Sequence, residues 1–468
     1  MDAGYYVSRY LNVVHLDCGE RALLFNGVNG CLDEVPRELG DILSDGRQTF
    51  LRKLSPVNLD FLARRGHITA LPPNTELEQF KEFVTGLYAR QIKHPVSGGI
   101  ILLASYNCNL ACEYCFQQEH RPVNAARIMS LQMVDDIFEK HLPSLLPGIS
   151  NLSLSLYGGE PFLPANEAVI RRALEHARKR PGMSVVATTN GTTVDAMPDI
   201  FGPGLGKVNK VQISLDGGRQ PHDRSRIPAN GLPTFDKILS NIQLLLDQNT
   251  AIDLRINVDR IKIETLPGLL NELKCRNIAG DPRVSIYAYP LHEGISGAES
   301  PHFMGLGEVA RKINEMGPGV ECPSTLKATD VRRLFKLARG IGLTRTACCM
   351  QTFQHYLVVD PLGDIYACTE EAGYPEFRVG HINETGVEFF PLRDVYKTRH
   401  LENLPDCLRC SVALACGGQC SVQCRKKTGD LFKVKCDDLK SVILDSIKRG
   451  YVLNTQIKES GSNSSRPA

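Results

Sequence analysis

From Gly99 onward the sequence alternates short apolar runs with amphipathic stretches, and this rhythm constrains the fold more than any other feature of the chain. Residues 100–105, 152–157, 184–188, 211–215, 252–257 and 283–288 read as six strands. Helical patterns lie between them. In 130–141, Leu131, Val134, Ile137 and His141 share a face, and in 234–246 Thr234 stands at the N-cap position. Six β/α units predict an α/β domain over residues 93–315, a parallel sheet that is open or curled into a partial (β/α)6 TIM barrel.

The first 92 residues read differently. Three strands, 10–16, 22–28 and 31–35, are separated by turn signals at Gly19 and Gly27 to Gly30. Helical patterns at 38–43, 56–65 and 76–90 follow, which predicts a small winged-helix-like domain over 1–92. A helical stretch at 331–339 leads out of the barrel. Residues 459–468 are small and polar and are expected to be a disordered tail.

Sixteen cysteines are too many for an ordinary chain. The N-terminus lacks a basic segment followed by an apolar one, and no apolar run approaches roughly 18 residues, so the expectation is a cytoplasmic protein without a membrane span. In a reducing compartment disulfides are a poor explanation and metal ligation a better one. Eight of the sixteen lie between Cys348 and Cys424 and three between Cys108 and Cys115, which implies at least two metal regions. Lys and Arg number 54 against 52 acidic residues. That balance provides no field for a polyphosphate backbone, so nucleic acid is an unlikely partner.

Cys108, Cys112 and Cys115 follow directly on the first barrel strand. A closed structural site takes four ligands, whereas three leave one position open for a substrate or cofactor. A zinc site borrowing a distant fourth ligand is the alternative. Further signals sit at later strand ends, where barrels gather their chemistry: Tyr157, Gly158, Gly159, Glu160 and Pro161; Asn190 and Gly191; Ser214, Asp216 and Gly217; then His222 to Arg226. Together these residues resemble the radical S-adenosylmethionine (SAM) superfamily. The resemblance implies that the three thiolates hold three irons of a 4Fe-4S cluster while the fourth iron chelates SAM. SAM would then be split to a 5'-deoxyadenosyl radical that takes hydrogen from the substrate. It further implies that Phe116 lies near the adenine, that Tyr157 to Glu160 meet the SAM ammonium, with the Glu160 carboxylate as acceptor, and that Ser214 and Arg226 meet its carboxylate. Asn190 is either a direct contact or a turn residue, and Asn257 and Leu291 complete the pocket. His222 and Asp223 are read as fixing their loop, and no catalytic side chain is assigned.

The second region has the spacing Cys407-x2-Cys410-x5-Cys416-x3-Cys420 and then Cys436, preceded by Cys349-x13-Gly363-x4-Cys368. Zinc ribbons also use thiolate pairs. The whole pattern resembles the SPASM extension of radical SAM enzymes, here residues 316–458, which houses two auxiliary 4Fe-4S clusters and so brings the total to three. By that resemblance Cys407, Cys410, Cys416 and Cys436 bind one cluster, and Cys349, Cys368 and Cys420 the other. Its fourth ligand stays open among Cys348, Cys322 and Cys424, or the iron is itself open. Cys18, Cys31 and Cys275 show no metal pattern and are expected to be buried or structural thiols.

Auxiliary clusters suit an oxidation, because a substrate radical must lose a further electron before it forms a double bond or crosslink. The N-terminal module resembles the PqqD-like recognition domains of ribosomal peptide (RiPP) maturases. Those bind a leader segment as an added strand beside an edge strand, here 31–35, against the third helix. The resulting expectation is an oxidoreductase that forms a thioether, carbon-carbon or carbon-oxygen crosslink in a precursor peptide held by its leader, with a flavodoxin or ferredoxin as electron donor. One alternative is a sulfatase-maturing enzyme making formylglycine. Those enzymes place an Asp after the cysteine corresponding to Cys368, where this chain has Thr369. The other is a non-catalytic iron-sulfur or zinc protein.

Overall fold

The computed structural model describes residues 4–45, 51–52, 54–117, 127–228, 230–291, 300–316, 326–327, 345–436 and 439–463. The helix expected at 331–339 and Cys322 lie outside them. The chain divides into two compact units. One comprises residues 1–93, 329–349 and 399–468, the other 94–328 and 350–398.

In the first unit, β1 (Tyr6–Val7) is followed by β2 (Leu11–His15), β3 (Arg21–Asn26), β4 (Leu32–Pro36), α1 (Arg37–Asp45), α2 (Pro56–Arg64), β5 (Ile68–Thr69) and α3 (Pro73–Lys93). β2, β3 and β4 form an antiparallel sheet in that order, and β1 pairs with β5. Both faces of the sheet are covered, which is why β3 reads as the unbroken apolar run Ala22 to Phe25 instead of alternating. Ala22, Leu24 and Val35 pack on Leu43 of α1 and Leu62 of α2. Tyr10 and Phe25 pack on Phe80 and Val84 of α3 and on Leu401, Leu408 and Ile443 from the C-terminal part of the same unit. Ser55 caps α2 by accepting from Asn58 N, with Pro56 at the first helical position.

The second unit holds the expected parallel strands: β6 (Gly98–Leu103), β7 (Leu152–Tyr157), β8 (Ser184–Thr189), β9 (Lys210–Leu215), β10 (Ala251–Val258) and β11 (Val284–Pro290), adjacent in sequence order. Helices α4 (Leu131–Asp136), α5 (Glu167–Arg178), α6 (Phe235–Asp247) and α7 (Leu266–Cys275) lie between them, and α4 continues through a π turn at Ile137–His141. The sheet is wider than six strands. β12 (Leu326–Lys327) joins β11, and β13 (Tyr356–Val359) lies parallel to β6. β14 (Asp364–Tyr366), β15 (Arg378–Asn383) and β16 (Gly386–Phe389) then extend it antiparallel, so part of the cysteine-rich segment builds the barrel sheet. Thr234 does not cap α6 with its side chain. Asp223 Oδ1 accepts from Thr234 N and Phe235 N, both at 2.9 Å, while the Thr234 hydroxyl turns to Arg226 O at 3.1 Å.

Asp135 fastens α4 to α5: it accepts from Arg172 Nε at 2.7 Å and Nη2 at 2.8 Å and lies 2.7 Å from His176 Nε2. The Arg172 guanidinium and then His176 hold its carboxyl down at about 2. Because the unfolded value is about 4, the stabilisation is complete above that pH and is lost as pH falls toward 2. Asp135→Asn is expected to lower the urea midpoint at neutral pH and to leave it unchanged near the folded pKa. Equal losses at both pH values would refute this account.

The first unit is completed by α8 (Pro405–Leu408), α9 (Ala413–Cys416), α10 (Ser421–Thr428) and α11 (Leu439–Asn463), the last running into the stretch expected as a tail. Its Ile443 and Ile447 are buried, and Tyr451 donates to Glu34 on β4. Cys18 and Cys275 are exposed and Cys31 half-buried, contrary to a buried role for all three. Among the described residues no helix is long and apolar enough to cross a membrane.

Candidate active site

The loop after β6 carries Cys108, Cys112 and Cys115, of which Cys112 is buried and the others half-buried. Its shape is fixed locally. Cys115 N donates to Cys112 O at 3.0 Å, Leu110 N to Cys108 Sγ at 3.4 Å, and Ala111 N to Ile227 O at 2.7 Å. From the end of β8, Asn190 Nδ2 reaches Cys108 Sγ at 3.6 Å and Asn109 Oδ1 at 2.8 Å.

The turn after β7 lies directly on this loop. Gly159 N donates to Ser105 O at 3.1 Å and Glu160 N to Asn107 O at 2.8 Å. Gly158 has φ +144°, and a Cβ on Gly159 would stand 2.1 Å from Asn107 O, so the glycine pair is required by backbone approach within the protein. Glu160 is fully buried. Its Oε1 accepts from Phe162 N at 3.0 Å and Thr189 Oγ1 at 2.8 Å, and its Oε2 from Asn190 N at 2.7 Å. Burial pushes the carboxyl up, against the pull of these donors. The expected acceptor of an ammonium is thus already a bracket between two strand ends.

Asp216, at the end of β9, is a second hub to which the sequence motif assigns no role, and it assigns none to Tyr114. Asp216 Oδ1 accepts from Tyr114 OH at 2.9 Å, Asn257 Nδ2 at 3.1 Å and Arg226 Nη1 at 3.5 Å, and Arg226 Nη1 also donates to Tyr114 OH at 2.9 Å. Arg226 is therefore tied to Asp216 and Tyr114 on one side. His222 accepts from Asp216 N at 3.2 Å and lies 3.1 Å from Thr234 Oγ1. Burial, helped by Arg226, takes its pKa down to about 2, so it is neutral and no proton shuttle near pH 7. Tyr157, beside Thr369 and Arg255, has its phenol raised by burial. Phe116 and Ser214 are half-buried, and Asn257 and Leu291 are buried at the ends of β10 and β11.

Two buried atoms of this hub, Asp216 Oδ2 and Arg226 Nε, have no hydrogen-bond partner among the described residues. One is an acceptor and one a donor, beside three thiols on a single loop. Such orphans call for a polar ligand, and a zwitterionic cofactor on a three-thiolate cluster fits them.

In the first unit Cys407, Cys410, Cys416 and Cys436 line a cavity of about 40 Å³ with Val412, Val434 and Leu439. Burial, then the neighbouring thiols, push Cys407 up to about 12. Arg399, 1% exposed, donates to Leu431 O at 2.7 Å, Gln419 O at 3.2 Å and Gly418 O at 2.9 Å, knitting the loops around that cavity. The segment before Cys348 is held by Arg345 N to Leu414 O at 3.1 Å. Cys348 faces Cys349, Cys420 and Cys416, and Cys349 Sγ is 3.5 Å from Ser421 Oγ. Cys424 is buried, with Sγ 3.8 Å from Gln419 Oε1. Cys368 belongs to the other unit, just after β14.

Residues 102–273 match the family model described as the Radical SAM superfamily. Over 69% of its length, and 82% of the relative's, the chain is 24% identical to a serine-type anaerobic sulfatase-maturating enzyme of Bacteroides thetaiotaomicron. Over 95% of its length, and 96% of the relative's, it is 21% identical to the radical SAM cyclopropyl synthase TigE of Paramaledivibacter caminithermalis. Its fold is similar to that of native anSMEcpe with bound AdoMet and Cp18Cys peptide, with a TM-score of 0.56 at 17% identity over 77% of this chain and 99% of that one.

Proposed function

We propose that this chain, a radical SAM enzyme that uses SAM and a 4Fe-4S cluster, oxidises a residue within a ribosomally made precursor peptide to form an intramolecular crosslink. Cys108, Cys112 and Cys115 hold the SAM-binding cluster. When bound, that cluster and SAM supply reductive cleavage and a carbon radical able to remove hydrogen from an unactivated position. The protein's own residues shape the site: Asp216, Tyr114 and Arg226 fix the cysteine loop against β9, and Glu160 and Asn190 brace it from the other side. The Tyr157, Phe116, Ser214, Asn257 and Leu291 side chains enclose the cofactor.

The observation that carries the peptide reading is the N-terminal sheet. β4 pairs with β3 alone among the described residues. The bonds from Asn26 N to Cys31 O and from Arg37 N to Glu20 O set the register, which turns the backbone of Glu34 away from β3, toward an added strand. The cyclopropyl synthase relative, aligned over nearly the whole chain, supports it. The four-thiol cavity supports an oxidative outcome: Cys407, Cys410, Cys416 and Cys436 hold an auxiliary cluster, and Cys349 and Cys420, with Cys348 beside them, serve another. A flavodoxin or ferredoxin in the cytoplasm supplies the electron.

A second reading, formylglycine formation on a sulfatase, is favoured by the Bacteroides relative. Anaerobic reconstitution with SAM and dithionite should yield 5'-deoxyadenosine. Co-expression with the peptide encoded beside this gene should remove a pair of hydrogens per modification by mass spectrometry. An unchanged peptide alongside conversion of a sulfatase peptide to formylglycine would replace the first reading by the second.

A further inference from the structure

Within the first unit, N-terminal residues grip the chain between Cys407 and Cys410 and directly after Cys410. The Tyr10 phenol, 2% exposed, donates to Leu408 O at 2.9 Å. Asn12, 5% exposed, donates through Nδ2 to Ser411 O at 3.2 Å and accepts from Ser411 Oγ at 2.6 Å. The same amide reaches Tyr10 O and Phe25 O, each at 3.3 Å. Gly27 lets the turn come this close, since a Cβ there would stand 1.7 Å from Ser411 O.

These bonds have a direction. Leu408 lies within, and Ser411 directly after, the turn that Cys410 N closes onto Cys407 O at 3.0 Å, and both cysteines line the four-thiol cavity. A sheet that only captured a peptide would not need a buried amide and phenol aimed at a turn some four hundred residues away in sequence. Groups that orient metal ligands from behind set both retention and potential of the metal.

We propose that Tyr10 and Asn12 are positioning residues for the iron-sulfur cluster of Cys407, Cys410, Cys416 and Cys436, so that the N-terminal sheet backs the turn that carries two of its ligands. The inference rests on reading the four-thiol cavity as a cluster site. Phe25, whose carbonyl Asn12 also holds, pairs with Leu32 of β4. The strand offered to a peptide and the residues that back the Cys407–Cys410 turn therefore share one hydrogen-bonded backbone.

The test uses the full chain with Cys108, Cys112 and Cys115 all changed to Ala, so that only auxiliary iron remains. Tyr10→Phe and Asn12→Asp are compared with Val13→Ala, a neighbour on the opposite face of β2. Loss of iron to a chelator is followed together with the midpoint potential of the auxiliary EPR signals. Tyr10→Phe and Asn12→Asp should each shed one cluster about tenfold faster, the equivalent of one buried hydrogen bond, and shift one potential. Val13→Ala should leave both as they were. Unchanged rates and potentials, or equal changes in Val13→Ala, would overturn the proposal. Should Asn12→Asp not fold, the isosteric Tyr10→Phe decides alone. A parent protein without auxiliary iron removes the cluster reading itself, and the inference with it, before any variant is compared.

Discussion

Alanine at Cys112 is expected to yield a folded chain that no longer cleaves SAM, with 5'-deoxyadenosine formation below about one thousandth of the parent rate, a barrier increase of about 4 kcal/mol. Cys112 is the buried member of the triplet, and the loop around it is held from three sides, by Ile227 O, Asn190 and the Tyr114 hydroxyl. Beyond Cys108 and Cys115, which are already ligands in this reading, the sequence of that loop has no further cysteine to replace it. Two remaining thiolates cannot retain a cluster that must keep one iron open. The substitution removes a small side chain from a loop whose backbone bonds survive, so the fold should persist and the auxiliary iron should remain. Iron counting and chromatography of the nucleoside on the same sample check both halves. Retained SAM cleavage at a tenth of the parent rate or more would remove the triplet from the reaction.

That the three cysteines follow on a strand is legible, because the apolar run before them is written in the local sequence. The same holds for the barrel, whose strand at Leu152–Tyr157 matches its expected bounds to the residue. Legibility stops where structure depends on partners distant in sequence. The start of β6, Gly98–Gly99, carries no local strand signal, yet Gly99 N donates at 2.8 Å to His355 O, just before β13 and some 250 residues later. The extension of the sheet is illegible for the same reason at β13, whose barrel partner is β6, after which β14 to β16 pair with near neighbours in sequence. Tyr114 and Asp216 sit inside recognisable motifs without a visible role, because their bond joins positions 102 residues apart. Arg226 reads from its type as a partner for a cofactor carboxylate. The structure commits its Nη1 to Tyr114 and Asp216 and leaves Nε as the orphan. Glu160 likewise reads as a ligand contact, and its environment shows a bracing task that residue type and spacing do not reveal.

That task sets the second large effect. Glu160→Ala is expected to lower stability by about 3–5 kcal/mol, because Phe162 N, Thr189 Oγ1 and Asn190 N would each lose a buried acceptor that water cannot replace. The loss should appear as a lower urea midpoint with an unchanged slope. It should also reach the cofactor. Asn190 is the residue that ties β8 to Cys108 and Asn109, so releasing its backbone loosens the cysteine loop, and SAM affinity of the cluster-loaded protein should fall about tenfold or more. Glu160→Gln separates shape from acceptor capacity. The amide fills the same space and can accept at one position, but turns a donor toward one of the three groups, so it should lose about half as much stability. If the Glu160→Gln variant matched the parent in both midpoint and SAM affinity, the carboxylate would be filling space and not bracing the strand ends. If Glu160→Ala weakened SAM binding without moving the midpoint, Glu160 would belong in contact with the cofactor, and the bracket would be the wrong description.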